Sequence, residues 1–210
     1  MRRMNRYLTE FIGTFFLVLA IGLSVIGNSP MAPLAIGGML VAVVFMGGHV
    51  SGAHYNPAVS LAVCLRGKIS PKDMVIYWIV QILGAIAAAA IARWVIMGKG
   101  IDATVIPSNK LAAALTVEFL FTFILALVIL NVATAKGTSG NSFYGLAIGI
   151  TVMAGAIAGG GISGGAFNPA VGIAVTAMGV PVQNLWLYLV GPFAGGAVAA
   201  LVFKMQNPDG

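Results

Sequence analysis

Two Asn-Pro-Ala tripeptides, Asn56-Pro57-Ala58 and Asn168-Pro169-Ala170, carry the most specific pattern in this 210-residue chain. Asparagine directly before proline suits a helix start: its side-chain oxygen caps an orphan backbone N–H, and proline at the first helical position forfeits no intrahelical bond. One such tripeptide is an ordinary cap. Two of them, each leading into a short apolar run (Val59 to Leu65 and Val171 to Met178), mark paired helix starts whose side-chain amides are left to donate to a neutral polar molecule. Asn56, Ala58, Asn168 and Ala170 are therefore the expected centre of a site, with the alanines small enough to let the two helix starts meet.

Glu10 and Glu118 are the next candidates, because both sit in apolar sequence where an unpaired carboxylate is costly. They are read as acceptors that tie loop N–H groups into the bundle, with a proton relay as the alternative. His54 either lines a passage or satisfies a loop carbonyl; loop support is the preferred reading. His49 and His54 do not define a metal site, since no thiolate, further histidine or nearby carboxylate completes a ligand set. No nucleophile and base are paired either. No enzyme activity, cofactor or metal is expected.

The elements that must position these residues are membrane spans. Hydrophobic residues make up 60% of the chain and charged residues 8%, against about 25% charged in an ordinary soluble domain. Too few polar groups remain to build a water-facing surface. Six apolar segments, at residues 8–26, 32–50, 74–97, 111–132, 142–160 and 184–204, are long enough or nearly so to cross about 30 Å of hydrocarbon. The basic start of the chain resembles a signal-peptide n-region, but no soluble domain follows, so the first segment reads as a retained span. The two short runs after the tripeptides cannot span alone and fit re-entrant half-helices covered by neighbouring protein. Cys64 is the only cysteine, which leaves no intrachain disulfide and a packing role.

The chain is also internally duplicated. Glu10-Phe11-Ile12-Gly13-Thr14-Phe15 matches Glu118-Phe119-Leu120-Phe121-Thr122-Phe123, and Ser51 to Val59 matches Ser163 to Val171. Three spans separate equivalent points, so the two copies cross in opposite senses. Residues 1–210 are expected as one domain, with 7–98 and 111–204 as its inverted repeats. The half-helices then enter from opposite faces and aim their positive ends at mid-depth, where a cation is disfavoured and a neutral hydrogen-bonding solute suffers less. Arg2, Arg3, Arg6, Arg66, Lys68, Lys72, Lys136 and Lys204 fall on one side, with Arg93, Lys99 and Lys110 at or beyond the other. That imbalance places both termini in the cytoplasm. The net charge of +6 reads as orientation signal, with no nucleic-acid partner expected. Gly145 and Gly149, Gly155 and Gly159, and Gly191 and Gly195 are spaced for close helix contact, while glycines from Gly159 to Gly165 are expected to form a non-helical approach to the second half-helix.

Over residues 7–204, Ser51-Gly52-Ala53-His54-Tyr55-Asn56-Pro57-Ala58-Val59, the second Asn-Pro-Ala, the paired Glu10 and Glu118, and Gln81 set against Gly191-Pro192 resemble the major intrinsic protein family of aquaporins and glycerol facilitators. The resemblance implies an all-α, six-span, two-half-helix channel in a plasma or other cytoplasm-facing membrane, surrounded by lipid and assembled as a homotetramer with one pore per protomer. It also implies passive conduction of water and small neutral solutes such as glycerol, urea or ammonia. Asn56 and Asn168 would orient the solute, and Glu10 and Glu118 would brace the loops. The outer filter departs from the family pattern. Val171 stands where an arginine is usual, and counting from the motifs puts Ile36, Ala156 and Gly165 at the other filter positions. Those four supply no side-chain donor and no charge. Gly172 stands where glycerol facilitators carry an acidic residue, although the short connections look more like the aquaporin side. An ion- or proton-coupled secondary transporter, with Glu118 as its coupling group, is the alternative.

Overall fold

The computed structural model describes residues 2–208; Met1 and residues 209–210 of the expected domain lie outside the described residues. Among the described residues, six helices are long and apolar enough to cross a membrane. They are α1 (Arg2–Ile26), α2 (Ala32–Ser51), α4 (Pro71–Val95), α5 (Leu111–Thr134), α6 (Tyr144–Ser163) and α8 (Leu185–Gln206), with the short helices α3 (Pro57–Leu65) and α7 (Pro169–Ala177) between them. Local sequence explains the boundaries. Ser70 caps α4 by accepting from Asp73 N at 3.1 Å, with Pro71 at the first position. That cap starts the helix three residues before the segment expected from hydropathy. Gly52 and Gly164 close α2 and α6 in the left-handed conformation, at φ of 92° and 95°. Gly159, Gly160 and Gly161 stay helical, contrary to the expected irregular approach. The α6 ladder holds as far as Ser163, whose hydroxyl is tied to Glu118, and only Gly164 and Gly165 turn away.

α1 packs on α4 and α2, while α5 packs in the same way on α8 and α6. The two halves join where α2 crosses α6 and where α3 and α7 slot against α8 and α4 respectively. Glycine sets the closest of these approaches. A Cβ on Gly37 would lie 2.7 Å from Gly149 O, and one on Gly149 would lie 2.5 Å from Gly37 O. Gly84 and Gly195 give the equivalent close approaches to the α1 and α5 backbones. The outward faces are apolar: Leu83, Ile150, Ile157 and Leu201 are all exposed, as a lipid-facing surface requires.

The half-helices leave toward opposite faces. α3 runs out to Lys68 and Ile69, beside the start of α1, where Tyr7 donates to Asp73 at 2.6 Å. α7 runs out to Met178, whose carbonyl accepts from Ile101 N at 2.7 Å beyond the far end of α4. The start of α1 and the end of α8 lie at the first of these faces, the terminal face, where Arg66 stacks on Phe203.

Candidate functional site

Each half-helix is preceded by a loop hung on a buried carboxylate. Glu10 Oε1 accepts from Ser51 Oγ at 2.6 Å and His54 N at 3.0 Å; Oε2 accepts from Tyr55 N at 2.7 Å and Gln81 Nε2 at 2.9 Å. Glu118 Oε1 accepts from Ser163 Oγ at 2.7 Å and Ala166 N at 3.0 Å, and Oε2 from Phe167 N at 2.7 Å. Both glutamates are fully buried. Each of these partners is a donor, which offsets the desolvation of the two buried carboxyl groups. Tyr77 and Tyr188 repeat the pattern from behind, each donating at 2.7 Å to the carbonyl of Ser51 or Ser163. Pro192 stands four residues past Tyr188 as Gln81 stands past Tyr77, so Glu118 has one donor fewer than Glu10.

This suspension holds Tyr55 and Phe167 in the left-handed region, both at φ of 50°. For such bulky residues that costs on the order of 1–3 kcal/mol each. The return is an exchange between the loops. Asn56 Oδ1 caps α3 by accepting from Ala58 N at 2.9 Å, and Asn168 Oδ1 caps α7 by accepting from Ala170 N at 2.9 Å. Asn56 Nδ2 donates to Phe167 O and Asn168 Nδ2 to Tyr55 O, both at 2.9 Å. Each amide thus spends one hydrogen on the opposite loop and keeps one. The half-helices meet N-terminus to N-terminus, and the reciprocal clasp fixes their separation.

Asn56 and Asn168 both line a cavity of about 210 Å³ that runs to the face opposite the termini. Ile36, Ala156, Gly165 and Val171 line this same cavity, so four positions from α2, α6, the second loop and α7 come together. Its other walls include Leu17, Ile21, Leu125 and Val152, which sequence reasoning did not single out because core and lumen leucines look alike in one dimension. A second cavity, of about 880 Å³, opens at the terminal face and is lined by Arg6, Lys68 and Lys136 among others. His54, Ile129 and Ile148 line both, so the two cavities approach each other at these three residues. Two expectations need correcting. Ala58 and Ala170 are fully buried and line neither cavity; Ala58 is pressed against Gly196 of α8, so only the asparagine of each tripeptide reaches the lumen. The His54 side chain pairs with the Ser60 hydroxyl at 3.0 Å and not with a loop carbonyl, because α3 brings Ser60 beneath the ring.

Six spanning helices, two half-helices meeting at their positive ends and two cavities that share lining residues beside that meeting point define a membrane channel of the inverted-repeat kind. The major intrinsic protein family matches residues 1–203, and the chain belongs to that family. The glycerol uptake facilitator protein-like 6 of Lactiplantibacillus plantarum is 34% identical over 98% of this chain and all of that protein. Aquaporin NIP1-4 of Oryza sativa is 36% identical over 97% of this chain and 77% of its own length. Among solved structures, the aquaglyceroporin from Plasmodium falciparum superposes with a TM-score of 0.82 at 23% identity, covering 96% of both chains; at that identity it speaks to the fold. The protein is a passive transmembrane channel for water and/or small neutral solutes.

Proposed function

We propose that this channel passes uncharged solutes broadly, admitting glycerol, urea and ammonia besides water, with discrimination weak at the outer passage and exclusion of ions concentrated at mid-depth. The observation that carries this reading is the outer cavity itself: Ile36, Ala156, Gly165 and Val171 converge on it without a side-chain donor or a charge. A polyol or amide entering there meets no fixed group that it must match. A cation meets no repulsion until the two half-helix ends, each equivalent to roughly +0.5 charge. The names of the relatives point in both directions, one a glycerol uptake facilitator and the other an aquaporin. Glu10 and Glu118 brace the two loops, and Asn56 and Asn168 orient the solute. Residues 7–98 and 111–204 act as the two repeats of one pore, and four such chains assemble as a homotetramer. The gathering of Arg6, Lys68 and Lys136 around one mouth supports a cytoplasmic terminal face.

Stopped-flow measurements on proteoliposomes test the reading. Glycerol, urea and ammonia fluxes should each exceed empty vesicles along with osmotic water flux. A channel that passes water while rejecting all three would overturn broad selectivity. A channel that passes the solutes but little water would show instead that the apolar passage dewets.

A further inference from the structure

The buried Glu10 carboxylate and the ring of His54 are joined through two polar side chains, Gln81 and Ser60, whose partners constrain the direction of the hydrogens along the path. Gln81 is fully buried and donates from Nε2 to Glu10 Oε2 at 2.9 Å and to Ser60 Oγ at 3.1 Å. An amide nitrogen carries two hydrogens, so both are used. With Glu10 ionised, turning the amide over would set Gln81 Oε1 against a carboxylate oxygen that has no hydrogen to offer. The orientation present instead leaves Oε1 buried without a partner, which a side chain accepts only when its nitrogen is more strongly held. Ser60 Oγ, itself fully buried, accepts from Gln81, and its single hydrogen is left for His54 Nδ1 at 3.0 Å. A hydrogen on Nδ1 would leave the buried Ser60 hydroxyl hydrogen without an acceptor among these groups, so the arrangement favours Nδ1 as the acceptor and the ring proton on Nε2. No protein group bonds Nε2, and it is not among the enclosed unpartnered atoms of the described residues. His54 lines both cavities, as do Ile129 and Ile148.

We propose that Ser60, oriented by Gln81, is a positioning residue that holds His54 as the Nε2–H tautomer and so gives the neck of the passage a third fixed donor beside Asn56 and Asn168. A solute at the neck must turn a lone pair to this wall, and a cation finds no acceptor there. The second repeat has Ala166, Gly172 and Pro192 at the positions of His54, Ser60 and Gln81. The device therefore occurs once, on the side of the clasp nearer the terminal face. The proposal deepens the channel reading above and rests on His54 facing the lumen, but it is read without any flux, so its failure leaves the solute range untouched.

The chain has two histidines, so a His49→Gln background leaves His54 alone. Solid-state ¹⁵N spectra of imidazole-labelled protein in lipid should then show a protonated Nε2 and an unprotonated, hydrogen-bonded Nδ1. Ser60→Ala should lower the ratio of Nε2–H to Nδ1–H tautomers by about fivefold, the effect of one ordinary hydrogen bond, and Ser60→Thr should restore it. A protonated Nδ1 in the parent overturns the proposal, and so does an Nδ1 resonance free of hydrogen bonding; the parent spectrum therefore decides even if Ser60→Ala does not fold. An unchanged ratio in folded Ser60→Ala also overturns it.

Discussion

Replacing Asn168 by aspartate separates the two tasks of that side chain. Oδ1 caps α7 by accepting from Ala170 N at 2.9 Å, and Nδ2 donates to Tyr55 O at 2.9 Å. Aspartate caps as well as asparagine, so α7 should keep its start in Asn168→Asp. The clasp does not survive. An oxygen replaces Nδ2 opposite the Tyr55 carbonyl, one hydrogen bond of about 1 kcal/mol is lost, and the buried carbonyl left unpaired costs about 1–3 kcal/mol more. The expected loss of stability is about 2–4 kcal/mol. The charge changes as well: two helix ends supply roughly one positive unit at mid-depth, and one carboxylate cancels it. For a cation about 5 Å away at an effective dielectric constant near 20, that is a barrier lowered by about 3 kcal/mol, or roughly a hundredfold in rate. Asn168→Ser is the control, since serine caps the helix, lacks the clasp donor and adds no charge. Both variants should melt earlier in detergent, while only Asn168→Asp should pass protons or potassium, read with a pH dye and a diffusion-potential dye in proteoliposomes. If folded, water-conducting Asn168→Asp leaks no more than Asn168→Ser, the helix ends are not the ion barrier.

Val171→Arg places a guanidinium with five donors among the donor-free side chains of Ile36 and Ala156 in the outer cavity. Glycerol and urea fluxes should fall about tenfold, equivalent to about 1.4 kcal/mol of barrier, while water flux persists; unchanged solute ratios would remove Val171 from any selective role. Gly149→Val tests the helix crossing, because even a Cβ there lies 2.3 Å from Val41 Cγ2 and 2.5 Å from Gly37 O, a backbone atom that cannot step aside. A loss of about 1–3 kcal/mol or more is expected in detergent melting. Gly161→Ala, on the same helix with nothing within 4 Å of an added Cβ, should be neutral or up to about 1 kcal/mol stabilising.

Much of the frame was legible in one dimension because its causes are local. Six long apolar segments against a charged fraction of 8% require lipid, and Asn-Pro at the start of a short run dictates a capped half-helix wherever it lies. Duplication with an odd number of crossings then dictates opposite orientations. The glutamates could be read as acceptors because a carboxylate in apolar sequence has few other fates. What the sequence could not state is which donor faces which acceptor. Asn56 reaches Phe167 O and Asn168 reaches Tyr55 O only because two loops more than a hundred residues apart are hung on Glu10 and Glu118 at matching depth. Ala58 and Ala170 were misplaced for the same reason: both fit the motif, but helix rotation turns them toward α8 and the core. Lumen and core residues carry the same apolar signature, so Leu17, Ile21 and Leu125 could not be told apart from packing. The link from His54 through Ser60 to Gln81 likewise depends on α4 lying behind α3. Chain chemistry determined the half-helices and their caps, and tertiary packing decided where each spare hydrogen points, because hydrogen bonds are directional and hydropathy is not.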